Sequence, residues 1–283
     1  MNLNDLIEKR KKIICTELSP HVDNEYVSKV SKLADVATVT SLKKIAKDTT
    51  FEVDAEKESI DKAAYVKKTY GLETIPTVTC RDHGKNNDFL RSLKSLDIHN
   101  LLLLYGDPNE PPHKNNYYFK NSGELVKWLR EEEASAEKNH FSLCVAGNPA
   151  SENLEKEIDS LAKKYEAGAN VVVTQPVFDV EQGLRYVDAL NSRGLKMHVF
   201  YGLLLFKTAK SPEFIEKRFG IKIPENVKLA VREKGPEESS RIVEKVYSNL
   251  VKHVAGFQIY PYGGVDATIN LLSNLRNFLN NGG

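Results

Sequence analysis

Three cysteines are all the thiols the 283-residue chain contains, and Cys15, Cys80 and Cys144 form no C-x-x-C pair. An odd, unpaired set argues against a disulfide framework and against a cysteine-based zinc site. Each lies in an apolar, strand-like run with no histidine beside it, so each is expected to be a small buried hydrophobe rather than a nucleophile. The seven histidines form no H-E-x-x-H or similar cluster, and no metal site is expected. Charge of one sign is also missing. With 40 basic and 39 acidic residues the net charge is +1, which excludes the basic footprint of a nucleic-acid-binding protein and leaves small neutral or mixed-charge ligands open. No apolar run approaches the ~18 residues of a membrane span, and the start, M-N-L-N-D-L-I-E-K-R, lacks the apolar centre of a signal peptide. A cytoplasmic protein away from the membrane is expected. There is no G-x-G-x-x-G, so an open dinucleotide-binding sheet is disfavoured.

What the chain does have is a repeat of strand-like runs and amphipathic helical ones. The strand-like runs are K-I-I-C-T-E up to Glu17, D-V-A-T-V-T-S up to Ser41, T-I-P-T-V-T-C up to Cys80, N-L-L-L-L-Y-G-D up to Asp107, F-S-L-C-V-A-G up to Gly147, N-V-V-V-T-Q up to Gln175, K-M-H-V-F-Y-G-L-L-L up to about Leu205, and G-F-Q-I-Y-P-Y up to Tyr262. Between them lie segments such as L-E-K-E-I-D-S-L-A-K-K-Y-E-A-G, with apolar residues at i, i+3 and i+4 and a closing glycine. Eight such units predict an α/β fold of one domain over residues 1–283, a (β/α)8 barrel. Extra helices are predicted after strand 7, where Pro224 to about Val254 reads as two or three consecutive helices.

The stretch V-V-V-T-Q-P-V-F-D, Val171 to Asp179, poses the functional question. Three valines read as a strand buried on both faces, Pro176 is expected to stop the ladder, and a long amide, Gln175, stands at the strand's carboxyl end. In such barrels the carboxyl ends of the strands form the active-site mouth. By that rule Glu17, Thr40, Thr79, Asp107, Asn148, Gln175 and Tyr260 converge on one pocket although they are far apart in sequence. A carboxylate such as Glu17, after the apolar I-I-C-T, is placed to have a raised pKa and to deliver a proton.

In order and spacing, A-G-A-N-V-V-V-T-Q-P-V-F-D-V-E, L-Y-G-D-P, I-P-T-V-T-C, V-A-G-N-P and T-E-L-S-P resemble the methylenetetrahydrofolate reductase family from about Cys15 to about Leu272. The resemblance implies an enzyme of one-carbon metabolism that reduces 5,10-methylenetetrahydrofolate, or a related methylene-tetrahydropterin, to the 5-methyl form through bound FAD, with NAD(P)H or another donor supplying electrons. It assigns Glu17 as the catalytic acid, Asp107 as a carboxylate between flavin and pterin, Gln175 as the amide that reads substrate, and Thr40 as a neighbour of the flavin ring. Tyr260 joins the substrate-binding set as a mouth residue. For the flavin's dinucleotide tail it implies Lys163 and Lys164 at the phosphates and Glu157 at a ribose.

The chain departs from the family's pattern in three flavin-side positions. Tyr105 stands in L-Y-G-D where an arginine is usual, Asn148 where a tyrosine is usual, and Thr77 where a histidine is frequent. Two other readings therefore stay open at this point, a flavin-free reductase taking hydride directly from a nicotinamide, and a pterin-binding subunit dependent on a redox or methyl-transfer partner protein. Self-association into a homo-oligomer stays open too.

Overall fold

The computed structural model describes residues 1–19, 21–40, 55–80, 83–84, 88–106, 119–134 and 141–282. Eight parallel strands close on themselves in sequence order: β1 Ile13–Leu18, β2 Val36–Val39, β3 Glu73–Thr79, β4 Asn100–Leu104, β5 Ser142–Gly147, β6 Val171–Pro176, β7 His198–Leu204 and β8 Gly256–Tyr260. The seam is the β8–β1 pair, in register from Ile13 opposite Gly256 to Thr16 opposite Ile259. Helices α2 (Asn24–Val30), α3 (Ala55–Tyr70), α4 (Phe89–Ser95), α5 (Ser122–Ala134), α6 (Leu154–Glu166) and α7 (Val180–Ser192) follow strands one to six in turn. After β7 come three helices, α8 (Ser211–Phe219), α9 (Glu225–Lys234) and α10 (Glu238–Leu250), and α11 (Val265–Asn280) ends the chain. The expected (β/α)8 barrel with additional helices after strand 7 is the fold. None of the helices among the described residues is long and apolar enough to cross a membrane.

Strand alternation fills the barrel. Ile13, Cys15, Val36, Ile75, Leu102, Cys144, Val171, Val173 and Phe200 form the inner cluster, and the period of two carries the same inward face on to Glu17, Thr38, Thr77 and Thr79. All three cysteines are free and buried, and burial pushes each thiol's pKa up. The amino-terminal end is sealed by α1 (Leu3–Arg10), whose Leu3, Leu6 and Ile7 join the inner cluster. Its first turn is held by Asn100 Oδ1 and Ser142 Oγ, which accept the Leu3 N–H at 2.7 and 3.0 Å. Below the seam, the buried Asp35 accepts from Arg276 at 2.8 Å and from the Ile14 N–H at 2.8 Å. This face is closed by packing and paired charges, and in such barrels it is the carboxyl face that takes a ligand.

Pro176 ends β6, as expected of a residue without an N–H, and lies opposite Gly202. What was not expected is the register shift between Val173 and Pro176 just before it, the mark of a bulge. The missing proline N–H costs nothing, because the Thr174 hydroxyl accepts the Gly202 N–H at 3.1 Å and the Val177 N–H bonds the Gly202 carbonyl at 2.9 Å. Gly202 is fixed by crowding. A Cβ there would stand 2.7 Å from the Thr174 carbonyl oxygen, 2.8 Å from the Gln175 carbonyl carbon and 2.7 Å from Tyr260 Cε2. Two of those neighbours are backbone and cannot swing away. Gly202→Ala is therefore expected to lower unfolding free energy by about 1–3 kcal/mol, the usual range for overpacking, as a denaturant midpoint shift; an unchanged midpoint would contradict the crowding.

Candidate active site

The carboxyl mouth is roofed on one side by the helices that follow β7. Phe178, Leu204, Phe206, Ile215, Ile223, Val227 and Val231 form a second small core there, with Tyr260 and Tyr262 packed against it. The α8–α9 connection reaches over the end of β6 to the loop after β5, where Lys222 pairs with Glu152.

Glu17 sits under this roof. On β1 it lies opposite Thr38 of β2 in register, two residues beyond the inward-facing Cys15. Desolvation pushes its carboxyl up to about 7, because the charged form is removed from water and, among the described residues, no donor reaches its oxygens. The phenols of Tyr260 and Tyr262 feel its charge, which adds to the burial that raises both of them. Around Glu17, then, the phenols stay protonated at neutral pH, and Glu17 itself is poised between its two forms. Its apolar first strand was the right signal for this environment.

Gln175 is half-buried, and its Oε1 is enclosed without a hydrogen-bond partner. An enclosed acceptor left unsatisfied costs roughly 1–3 kcal/mol, a cost relieved when a ligand N–H arrives. Thr77 Oγ1, further round the barrel on the inward face of β3, is in the same condition. The Tyr260 hydroxyl donates to the Thr174 carbonyl at 2.8 Å, and its ring lies beside Gly202 and packs against the small apolar cluster of the roof. Thr40 stands at the end of β2 with its hydroxyl 3.4 Å from the Leu18 carbonyl. Tyr105 is at the rim after β4, 43% exposed. Asp107 lies outside the described residues.

One inward polar pair was missed by the sequence reading. Gln258, on β8, donates from Nε2 to Thr38 Oγ1 at 2.9 Å, while its Oε1 is buried and unpartnered. Together they floor the mouth beneath Glu17. The signal was available, since an amide inside G-F-Q-I-Y has the same oddity as Gln175 inside V-V-V-T-Q.

On the β5 side the four remaining residues divide into two kinds. Glu157 and Asn148 hold each other's loop: Glu157 Oε1 accepts the Asn148 N–H at 2.8 Å and lies 3.3 Å from the Tyr186 hydroxyl, and Asn148 Oδ1 accepts the Ala150 N–H at 3.1 Å. Lys163 and Lys164 instead line a cavity of about 400 Å³ between α5 and α6, with Asn121, Gly123, Lys156, Ser160 and Asp159, the last of which is paired with Arg193. Lys164 is largely dehydrated, which lowers its pKa, and donates to the Ala146 carbonyl at 3.2 Å. An ammonium has three donors, so the rest remain for an anion. A dehydrated ammonium beside an exposed one, in a groove that opens by the end of β5, fits a diphosphate; the Asn148 and Glu157 side chains, as they stand, serve the loop first.

A family model, methylenetetrahydrofolate reductase, matches residues 2–259. The chain belongs to the methylenetetrahydrofolate reductase family. Among curated relatives, the 5,10-methylenetetrahydrofolate reductase of Salmonella typhimurium is 28% identical over 165 residues, 56% of this chain and 53% of that protein. The probable methylenetetrahydrofolate reductase (NADPH) of Caenorhabditis elegans is 25% identical over 194 residues, 64% of this chain and 28% of that protein. The match thus spans about half of the bacterial relative and less of the nematode one. Among solved structures, a Clostridium thermocellum protein that binds two copies of 5-methyl-5,6,7,8-tetrahydrofolic acid superposes with a TM-score of 0.69 at 16% identity, covering 98% of this chain and 99% of that one. Tryptophan synthase from M. tuberculosis superposes at 0.55 with 10% identity, covering 97% of each. These two likenesses show the barrel. The family resemblance of the motifs read in the sequence is thereby upheld over nearly the whole chain.

Proposed function

We propose that this member of the methylenetetrahydrofolate reductase family reduces 5,10-methylenetetrahydrofolate to 5-methyltetrahydrofolate, with Glu17 as the acid. The observation that carries the reading is the carboxyl of Glu17, desolvated at the barrel mouth and raised to about 7, where a proton donor effective near neutrality is needed. Family membership supports the reaction, and the folate bound by the structural neighbour from Clostridium thermocellum supports the substrate.

The chemistry asked of the residues is limited. Glu17 gives its proton to N10 of the substrate, the N10–methylene bond breaks, and the methylene carbon becomes an iminium at N5. A hydride then adds to that carbon. Gln175 Oε1 takes an N–H of the pterin edge and so holds the ring in place, with Asp107, beyond the described residues, as its carboxylate partner in the same task. The Tyr260 ring gives a flat wall, and the roof over the mouth keeps water from the iminium, which would otherwise be hydrolysed. When bound, FAD would supply the two-electron relay from NAD(P)H; Lys163 and Lys164 are the residues to hold its diphosphate, with Thr40 on the ring side.

The test is formation of 5-methyltetrahydrofolate from the methylene substrate by the purified chain, supplied with FAD and with NADH or NADPH under anaerobic conditions. Product in the presence of FAD is expected. Equal turnover after rigorous removal of flavin would transfer the reading to direct hydride transfer from the nicotinamide, which the altered Tyr105, Asn148 and Thr77 positions would favour.

A further inference from the structure

The floor of the mouth holds an amide that the reaction above does not use. Gln258 of β8 stands opposite Cys15 of β1, and Thr38 of β2 stands opposite Glu17. The hydrogen bond from Gln258 Nε2 to Thr38 Oγ1, 2.9 Å long, therefore runs from β8 to β2 across the inner face of β1, the face that Glu17 shares with Cys15. Its direction is fixed. The Thr38 hydroxyl gives its own proton to the Thr16 carbonyl at 3.3 Å, so toward Gln258 it accepts, and the amide nitrogen also reaches the Ile259 carbonyl at 3.4 Å. The amide oxygen is left over. Gln258 is 1% exposed, and its Oε1 is enclosed without a partner among the described residues, a position that costs free energy until a donor arrives.

Among the described residues, donors near that oxygen are few. The Tyr260 hydroxyl is committed to the Thr174 carbonyl, Thr16 faces away from the barrel interior by strand alternation, and the Cys15 thiol is a weak donor. The Glu17 carboxyl, in its acid form, has an O–H to give. We propose that Gln258 is a positioning residue for Glu17: its Oε1 accepts the carboxylic O–H in the resting protein and keeps the proton on the acid until the substrate nitrogen takes that bond over. The proposal rests on the reading of Glu17 as the acid. It adds a second cause to desolvation, because an acceptor favours the neutral acid and sets a lone pair against the carboxylate. The ionisable groups that feel the Glu17 charge are Cys15, Tyr26 of α2, Tyr260 and Tyr262. Burial raises all four, so each is neutral near pH 7 and none brings a charge to hold the proton in the amide's place.

Infrared spectroscopy reads the bond without turnover. The pH-difference spectrum of the wild type, compared with that of Glu17→Gln, isolates the C=O stretch of protonated Glu17, and a hydrogen-bonded acid absorbs at lower frequency than a free one. The wild-type band is expected at the bonded position. It should move up in Gln258→Met, which keeps the length and removes the acceptor, and stay in place in Thr38→Ser, which keeps the bridge. In turnover, Gln258→Asn, one methylene shorter and so drawn back from both partners, should lose about two- to tenfold in kcat with KM little changed, the scale of one neutral hydrogen bond. The fall of its kcat/KM with rising pH should begin about half to one pH unit lower, since the neutral acid has lost an acceptor. A wild-type band at the free-acid position, or a band that stays put in Gln258→Met, would overturn the positioning role with Glu17 still the acid. If no titrating band disappears in Glu17→Gln, no proton is held there, and the acid reading goes first.

Discussion

Glu17→Gln is expected to cut reduction of the methylene substrate by about 10²–10⁴-fold, the usual worth of a general acid, while making the protein more stable at neutral pH. Glutamine keeps the shape of the side chain and its hydrogen-bonding capacity but has no proton to give. The stability gain follows from the raised pKa. Glu17 holds its proton up to about 7 in the folded chain, against an ordinary glutamate value near 4.5 when unfolded. Between those values the folded state binds more protons than the unfolded one, so stability falls as pH rises. Its contribution is fully present below about 4.5 and is lost as pH climbs through about 7. Glutamine does not titrate, so the variant's advantage should grow from pH 5 to pH 8, read as a difference in denaturation midpoints. The wild-type rate should fall above pH 7 as the acid loses its proton, and the variant's residual rate should not follow that limb. An undiminished rate in Glu17→Gln would remove the acid assignment. A lower rate together with a lower midpoint would instead point to a packing defect.

The sequence made the barrel legible because each strand was either a run of β-branched and leucine residues or ended in a polar residue that such a run cannot bury without purpose. The same contrast singled out Glu17 and Gln175 as candidates. It placed the end of the Gln175 strand at Pro176, the last residue of β6, but could not show the register shift before it, where the Thr174 hydroxyl accepts the Gly202 N–H. It also could not show that Glu157 and Asn148 would meet: they are nine residues apart, and their hydrogen bond depends on how the loop after β5 folds back on α6. What the pattern of alternation gives is which face a residue takes; what it withholds is which other loop that face will meet.

Charge reversal of both lysines on α6, Lys163→Glu with Lys164→Glu, is expected to abolish FAD binding at concentrations that saturate the wild type. The wild-type affinity itself should be weak. Tyr105 replaces an arginine, and loss of one charge-assisted contact worth ~1.5–3 kcal/mol weakens binding by roughly ten- to a hundredfold. FAD should accordingly leave during purification and return when added in excess, seen as quenching of flavin fluorescence. Of the two lysines, Lys164 should carry more of the effect. It is already largely dehydrated and held by the Ala146 carbonyl, so bringing a diphosphate to it requires little further loss of water or side-chain freedom, whereas Lys163 is exposed and gives up both. Lys164→Ala alone should then weaken FAD more than Lys163→Ala, and the double reversal should exceed either, because it places two carboxylates beside the phosphates. The denaturation midpoint serves as the control, since Lys164 also ties α6 to β5. If the wild type quenches no flavin at any workable concentration and still forms 5-methyltetrahydrofolate, the groove between α5 and α6 holds something other than flavin, and the hydride comes straight from the nicotinamide.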